Sequence, residues 1–281
     1  MIRSPALLTL LRTFEFPRKL GFLEQIYGRR LSSLGTGWVV CANGVEWKLD
    51  LSDSCHRWIV YGKYEGGGGI NLARERLRNG GVYVDSGANI GQWLLYIASL
   101  KGLKTIAFEP TTSERNWLTE CVNRQKNWSV SIVPLGLGAA DASVEIQTYG
   151  ARSTLNLDWY QAQNHKRETI NLRRLDDVLA EMGEDKVTFW KLDVEGAELE
   201  ALKGAEAYLQ EQKIETIYFE CHPTNFKQIK CLLESHRYQL FDLAEGKLSL
   251  KTDSDIENTE DLVAVPIPPG EAMVSTIDVG S

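Results

Sequence analysis

The sequence predicts an α/β fold: a doubly wound, mainly parallel sheet with helices on both faces. Three observations carry this. From residue 82 onward, apolar strand-like runs alternate with helical patterns, which is how a parallel sheet covered on both sides reads. The first such run, in VYVDSGANIGQW (82–93), ends in Asp85 and passes through a glycine turn into a helix. Later runs also end in acids: TIAFEP (105–110), KLDVEGAE (191–198) and YFECHP (218–223). Carboxylates are depleted in strands and cores. Acids repeated at strand ends therefore point to a site, and open α/β sheets bind ligands beyond the carboxyl ends of their strands.

The chain has 281 residues, 43% apolar and 25% charged, enough for one α/β domain with an N-terminal addition. Its net charge of −7 argues against a nucleic-acid partner. Five cysteines, Cys41, Cys55, Cys121, Cys221 and Cys231, form no CxxC pair, so reduced thiols in a cytoplasmic setting are expected. The opening MIRSPALLTLLRTFEF has an apolar patch too short to span a bilayer. It is interrupted by Arg12 and lacks a small-residue cleavage site, so an amphipathic helix packing on the domain is expected, with no stable membrane insertion.

Taken in order, GWVVCANGVEWKLDL (37–51) reads as a hairpin about Asn43-Gly44, a dipeptide suited to the positive φ of a tight turn. The glycine run EGGGGI (65–70) reads as a loop and residues 71–79 as a helix. Strands follow at 82–85, 104–108, 130–135, 187–193, 215–220 and 261–266. Helices are expected at 91–100, 113–126, 197–210 and 224–236. Residues 139–172 break the alternation and predict extra strands and a loop; 150–168 is a lid or a surface loop. The tail from Ile267 carries Pro-Pro-Gly and is expected to be poorly ordered. These readings divide the chain into an N-terminal extension (1–60), a core domain (61–266) and a tail (267–281). No feature signals an oligomeric state.

The glycine turn narrows the ligand. A dinucleotide fingerprint needs G-x-G-x-x-G, and here the second and third glycine positions are Asn89 and Gln92. No P-loop lysine is present. The spacing Asp85-x-Gly87-x-x-x-Gly91 suits a ligand without phosphates. Glu109, at the end of the next strand, is placed to accept both hydroxyls of a ribose, although alone it could be a satisfied surface acid. Together these elements describe an S-adenosylmethionine site.

YGKYE (61–65), DSGANIG (85–91), FEP (108–110) and KLDVEGAE (191–198), the last followed by LEALKGA, resemble the FkbM family of S-adenosylmethionine-dependent methyltransferases over residues 55–265. Ser86 stands where that family more often has Val. The resemblance implies a class I methyltransferase (Rossmann-like) sheet of seven strands, mostly parallel with an antiparallel last strand. It also implies O-methylation of a sugar or of a hydroxyl on a secondary metabolite. The expected cofactor-binding set is Glu65, Asp85, Gly87, Asn89, Gly91, Glu109, Pro110, Leu137 and Asp193.

Three acids crowd KLDVEGAE. Residues 191, 193 and 195 share one side if the strand stays regular. Asp193, at the strand end, is assigned to the transfer site, whereas Glu195 and Glu198 favour the helix start through its dipole. Glu220 and His222 end the neighbouring strand; a histidine before proline is also an ordinary turn residue. The base that takes the acceptor's proton is Asp193, Glu220 or His222. Alternatively the three hold a Mg²⁺ or Mn²⁺ that lowers the acceptor's pKa. Lys191 pairs with one of these acids or tunes its pKa. Competing readings are N-methylation, whose amine acceptor needs no strong base, and a cofactor-binding scaffold without catalysis. The partner expected is a hydroxylated small molecule.

Overall fold

The computed structural model describes residues 1–281 except 3, 13, 15, 42, 66–67, 150–151, 155–165, 222–223, 245–246, 251–260, 269, 271–275 and 279–281. The chain opens with α1 (Ala6–Leu11), α2 (Lys19–Ser32), the hairpin β1 (Thr36–Val40) and β2 (Glu46–Asp50), α3 (Ser54–Val60) and α4 (Gly68–Arg76). There follow β3 (Gly81–Ser86), α5 (Leu94–Ile97), β4 (Leu103–Phe108), α6 (Thr112–Asn123) and β5 (Val130–Val133). A small insertion comprises β6 (Gly136–Leu137), β7 (Ala142–Tyr149), β8 (Arg152–Thr154) and β9 (Lys166–Arg173). After α7 (Leu175–Glu181) come β10 (Phe189–Leu192), α8 (Glu198–Lys203), α9 (Glu206–Gln210), β11 (Ile217–Glu220) and α10 (Phe226–Ser235). The chain closes with β12 (Tyr238–Ala244), β13 (Lys247–Leu250), β14 (Asp261–Pro266) and β15 (Thr276–Asp278).

The main sheet runs β5-β4-β3-β10-β11-β14-β12-β13-β15. β5, β4, β3, β10 and β11 are parallel, and β14 lies antiparallel between β11 and β12. The first seven strands of that order are the expected seven-stranded sheet with one antiparallel member. β3 is flanked by β4 on one side and β10 on the other, so the connection reverses there and opens a crevice at the strand ends. Both faces are covered. Tyr83 and Phe189 project into one core, while Val84 and Trp190 project into the other, as the two-residue period of a strand requires.

The N-terminal elements extend the first core: Leu8, Leu23, Tyr27 and Leu31 are buried in the same cluster as Trp47, Leu94 and Leu95. The Trp47 indole donates to the carbonyl of Ile90 at 2.8 Å, and that of Trp117 to the carbonyl of Lys48 at 2.8 Å. The hairpin is thereby strapped to the glycine turn and to α6. Glu24 of α2 pairs with Arg57 of α3 at 2.6 Å and accepts from the Tyr61 hydroxyl at 2.9 Å. No helix among the described residues is long and apolar enough to cross a membrane.

Several elements differ from the sequence expectation, among them α3, α7 and β13, which it does not contain. Residues 197–210 form two helices because Gly204 approaches Gly138 backbone to backbone, and its carbonyl accepts from the Asp176 amide at 3.0 Å. The Asp176 carboxylate then accepts from the Ala207 and Tyr208 amides, satisfying orphan donors at the start of α9. Residues 91–100 hold only the four-residue α5. β12 lies where no strand is expected, and the tail is not without structure: Thr276–Asp278 pairs antiparallel with Lys247–Ser249, covering the edge of β13. The extra strands expected within 139–172 form their own sheet, order β6-β9-β7-β8. Most of the 150–168 loop lies outside the described residues.

Candidate active site

A cavity of about 240 Å³ opens at the carboxyl ends of β3, β4 and β10. Of the expected cofactor residues, Gly87, Asn89, Glu109, Pro110, Leu137 and Asp193 line it. Asp85, Gly91 and Glu65 are not among the described lining residues.

The turn after β3 is built for close approach. Gly87, Asn89 and Gly91 all have positive φ, at 74°, 51° and 86°. A Cβ on Gly87 would overlap the carbonyl oxygen of Asp193, so the turn tolerates no side chain there. The amides of Gly87 and Ala88 donate to the Phe108 carbonyl at 3.1 and 3.0 Å, fixing the turn to the end of β4. Glu109 completes the tie: one oxygen accepts from the Asn89 amide at 2.7 Å, the other from the Thr111 amide at 2.9 Å and from the Thr111 hydroxyl. Burial raises the Glu109 pKa, and these hydrogen bonds oppose the shift. Gly91 serves packing instead. A Cβ there would stand 2.5 Å from the Trp47 ring and 2.7 Å from Leu118, so its place is under the hairpin and not on the cavity wall.

Lys191 organises the strand ends. Its side chain is buried, with Nζ 2.9 Å from the Gly87 carbonyl, 3.2 Å from Asp193 Oδ2 and 3.4 Å from Asp85 Oδ1. Burial pulls its pKa down, but Asp193 and Asp85 more than offset this, so the ammonium persists. Asp85, 1% exposed, stands behind the cavity as a counter-ion to Lys191. Burial raises its pKa and Lys191 lowers it. Glu65 points elsewhere: its charge bears on the thiol of Cys41 and the phenol of Tyr96, both already raised by burial.

The end of KLDVEGAE is a turn. β10 stops at Leu192, Glu195 adopts a left-handed φ of 54° and Gly196 one of 99°. Lys191, Asp193 and Glu195 do all line the cavity, but the turn brings them there and a continued pleat does not. Glu198 is buried, and its Oε1 accepts from the amides of Val194 (2.9 Å) and Gly196 (3.2 Å). It therefore holds the turn from within, a tighter role than the dipole interaction the sequence suggests. Glu220 ends β11 next to β10. Its pKa is raised to about 8, first by burial and then by Asp193, Glu195, Glu198 and Asp261. Glu220 is exposed and is not among the described lining residues, yet the surrounding acids resist its ionisation. His222 lies outside the described residues. Among the described residues no group of three His, Cys, Asp or Glu side chains is arranged to hold a metal ion.

Several wall residues escape the sequence reading. Cys55 and Trp58 of α3, Tyr64 and Trp93 line the β10 side of the cavity. Tyr64 lies in the YGKYE stretch, and the Tyr64 hydroxyl, raised to about 12 first by burial, feels Cys55, Asp193 and Lys191. Trp93 packs on Tyr218 at 4.8 Å and on Phe189 at 6.4 Å. At the Glu109 side the inserted sheet supplies Ile146, Ile170 and Leu172. YGKYE is the one sequence signal that pointed near the aromatic wall; nothing in the sequence marks the aliphatic one.

The strand order, the reversed connection at β3 and the acid-ended strands around one cavity define a class I methyltransferase fold. The chain belongs to the FkbM methyltransferase family: the Methyltransferase FkbM domain model matches residues 85–240. It is similar to the AMB antimetabolite synthetase AmbE of Pseudomonas aeruginosa, 25% identical over 249 residues, with 70% of this chain and 11% of that protein covered. It is also similar to Methyltransferase 1 of Beauveria bassiana, 33% identical over 143 residues, with 44% of this chain and 57% of that protein covered. The chain thus spans only part of the length of both curated relatives. Among solved structures, Methyltransferase FkbM from Methylobacillus flagellatus aligns with a TM-score of 0.47 and 23% identity, over 66% of this chain and 44% of that one.

Proposed function

We propose that this protein is an S-adenosylmethionine-dependent methyltransferase acting on a hydroxyl of a sugar or secondary metabolite. The observation that carries the reading is the convergence of the Gly87 turn, Glu109 and Asp193 on one cavity. The residues present fit the cofactor: the turn leaves room where a Cβ would not fit, and an acid already oriented by Asn89 and Thr111 stands where ribose hydroxyls need an acceptor. Leu137, Ile146, Ile170 and Leu172 offer an apolar slot beside Glu109 for a base. Bound there, S-adenosylmethionine supplies a methyl group already activated on a sulfonium.

The chain's own residues provide orientation, water exclusion and proton transfer. Lys191 fixes the Asp193 carboxylate at the cavity edge. Asp193, on the cavity wall, takes the hydroxyl proton, with Glu220 at the end of the neighbouring β11 as the base behind it, a contribution of ~10²–10⁴-fold for a positioned base. Trp58, Tyr64 and Trp93 keep water from the β10 side and give an acceptor an aromatic wall. Residues 61–266 then form the catalytic unit, with α3 of the N-terminal extension completing the acceptor wall.

Calorimetric titration with S-adenosylmethionine tests the cofactor, and a mass-spectrometric screen of hydroxylated acceptors for gain of one methylene tests the transfer. No heat of binding would reject the cofactor assignment. Binding with transfer only to amines would leave the cofactor site and replace the hydroxyl reading by N-methylation.

A further inference from the structure

Among the described residues, every large apolar side chain that is exposed lies between residues 1 and 40. They include Leu7 (58% exposed) and Leu10 of α1, Phe14 just after it, and Phe22 and Ile26 (52%) of α2. Exposed apolar side chains concentrated in one part of a chain mark an interaction site. The inner face of α2 is already used: Leu23, Tyr27 and Leu31 are in the core.

The outer stripe of α2 has a definite chemistry. Phe22, Ile26 and the pair Arg29 and Arg30 follow one another at helical spacing on the exposed side, and exposed Arg18 stands at the N-cap just before them. Two apolar side chains are thus bracketed by guanidinium groups at each end. Glu24, the helix's one acid, is turned inward to Arg57. Residues 1–35 carry six arginines and lysines against two glutamates, in a chain whose net charge is −7. Phe16 packs edge-on against Phe22 at 5.6 Å, so the aromatic surface continues into the segment before the helix.

We infer that this face docks on an anionic lipid surface, with Phe22 and Ile26 entering the headgroup boundary and Arg18, Arg29 and Arg30 meeting the phosphates. An in-plane helix with apolar residues between basic ones binds membranes this way, without spanning them. A second copy of the chain fits less well: antiparallel pairing of α2 brings Arg18 against the other copy's Arg29 and Arg30, and parallel pairing brings like against like. The docked face sits on the reverse of α2 from the Glu24–Arg57 pair, and α3, which carries Arg57, also carries the cavity residues Cys55 and Trp58. The cavity wall and the docking helix are therefore joined by a partly buried ion pair.

Flotation of the full chain with vesicles tests this. The protein is expected to rise with vesicles of phosphatidylcholine containing phosphatidylglycerol, to stay off phosphatidylcholine alone, and to be released by high salt. Phe22→Glu/Ile26→Glu and Arg29→Glu/Arg30→Glu should each weaken binding by about tenfold or more with an unchanged melting temperature. Should the first variant melt early, the second, which alters only exposed side chains, decides. Failure to bind anionic vesicles, or equal binding by wild type and the Arg29→Glu/Arg30→Glu variant, overturns the inference. So does light scattering that finds a wild-type dimer split by Phe22→Glu/Ile26→Glu, which would assign the face to a second copy.

Discussion

The carbonyl oxygen of Asp193 occupies the space a Cβ on Gly87 would need, so the turn after β3 and the turn after β10 meet backbone to backbone. Gly87→Ala therefore combines a clash with a left-handed φ, and should lose at least ~1–3 kcal/mol of stability. Urea unfolding measures it. A variant with the wild-type midpoint would mean the two turns can part without loss.

Glu109→Ala removes the acceptor of two backbone amides, those of part-buried Asn89 and buried Thr111, and the expected ribose contact. Cofactor affinity should fall by ~1.5–3 kcal/mol, the loss typical of hydrogen bonds to a charged group. Calorimetry decides, and an unchanged Kd would detach Glu109 from the ligand.

Glu220 gives a pH signature. In the folded protein it holds its proton up to about pH 8, whereas unfolded glutamate releases it near ~4.3. Across that window the folded state binds more protons, so stability falls as pH rises. Glu220→Gln should flatten this slope. Turnover should rise as the carboxylate forms through about pH 8, and the variant should lose both the rise and ~10²-fold or more of the rate. A pH–rate profile with the same apparent pKa in the variant would exonerate Glu220.

Asp193 and Glu198 should separate cleanly. Asp193→Asn is expected to lower turnover by ~10²-fold or more while keeping the fold. Glu198→Ala leaves the Val194 and Gly196 amides without their acceptor and should cost ~1–3 kcal/mol of stability instead. Thermal melts beside a transfer assay give both readings; a reversed pattern would exchange the two roles.

No disulfide links the five cysteines, and their surroundings rank their reactivity. Exposed Cys231 should alkylate first. Cys55, on the cavity wall, should follow and be protected by ligand. Cys41, Cys121 and Cys221, each pushed up to about 12 chiefly by burial, should react only on unfolding. Peptide mapping after timed alkylation reads the order, and indifference of Cys55 to ligand would place binding elsewhere.

The sheet was legible where apolar runs are dense and acid-ended. β3, β4, β10, β11 and β14 fall within a few residues of expectation, because strands buried on both faces have little choice of composition. β12 was not legible: its Gln239 and Asp242 interrupt the apolar run, and Gln239 is nonetheless buried. Gly87 and Gly91 look alike in the sequence, yet one meets Asp193 and the other Trp47, a residue 44 positions upstream that no local pattern could place. Asp85 reads as a ligand contact because it ends a strand. Its distinct role depends on Lys191, more than a hundred residues later, reaching across from β10. The aromatic wall was hidden for the same reason, since α3 joins the cavity only through packing.

β14 is the one antiparallel strand wedged inside the sheet's parallel part, and it follows both of its neighbours, β11 and β12, in the chain. Chains emerge N-terminus first. Until Asp261–Pro266 leaves the ribosome, β11 presents a bare edge and β12 has no inner neighbour, carrying β13 with it. A nascent chain stalled before that point exposes a sticky strand edge beside the acid-rich strand end that bears Glu220. Completion of the sheet, and with it the shape of the strand ends around Glu220, thus waits for a strand that emerges after both of its neighbours, and a chain stopped after Glu260 should be recovered as aggregate.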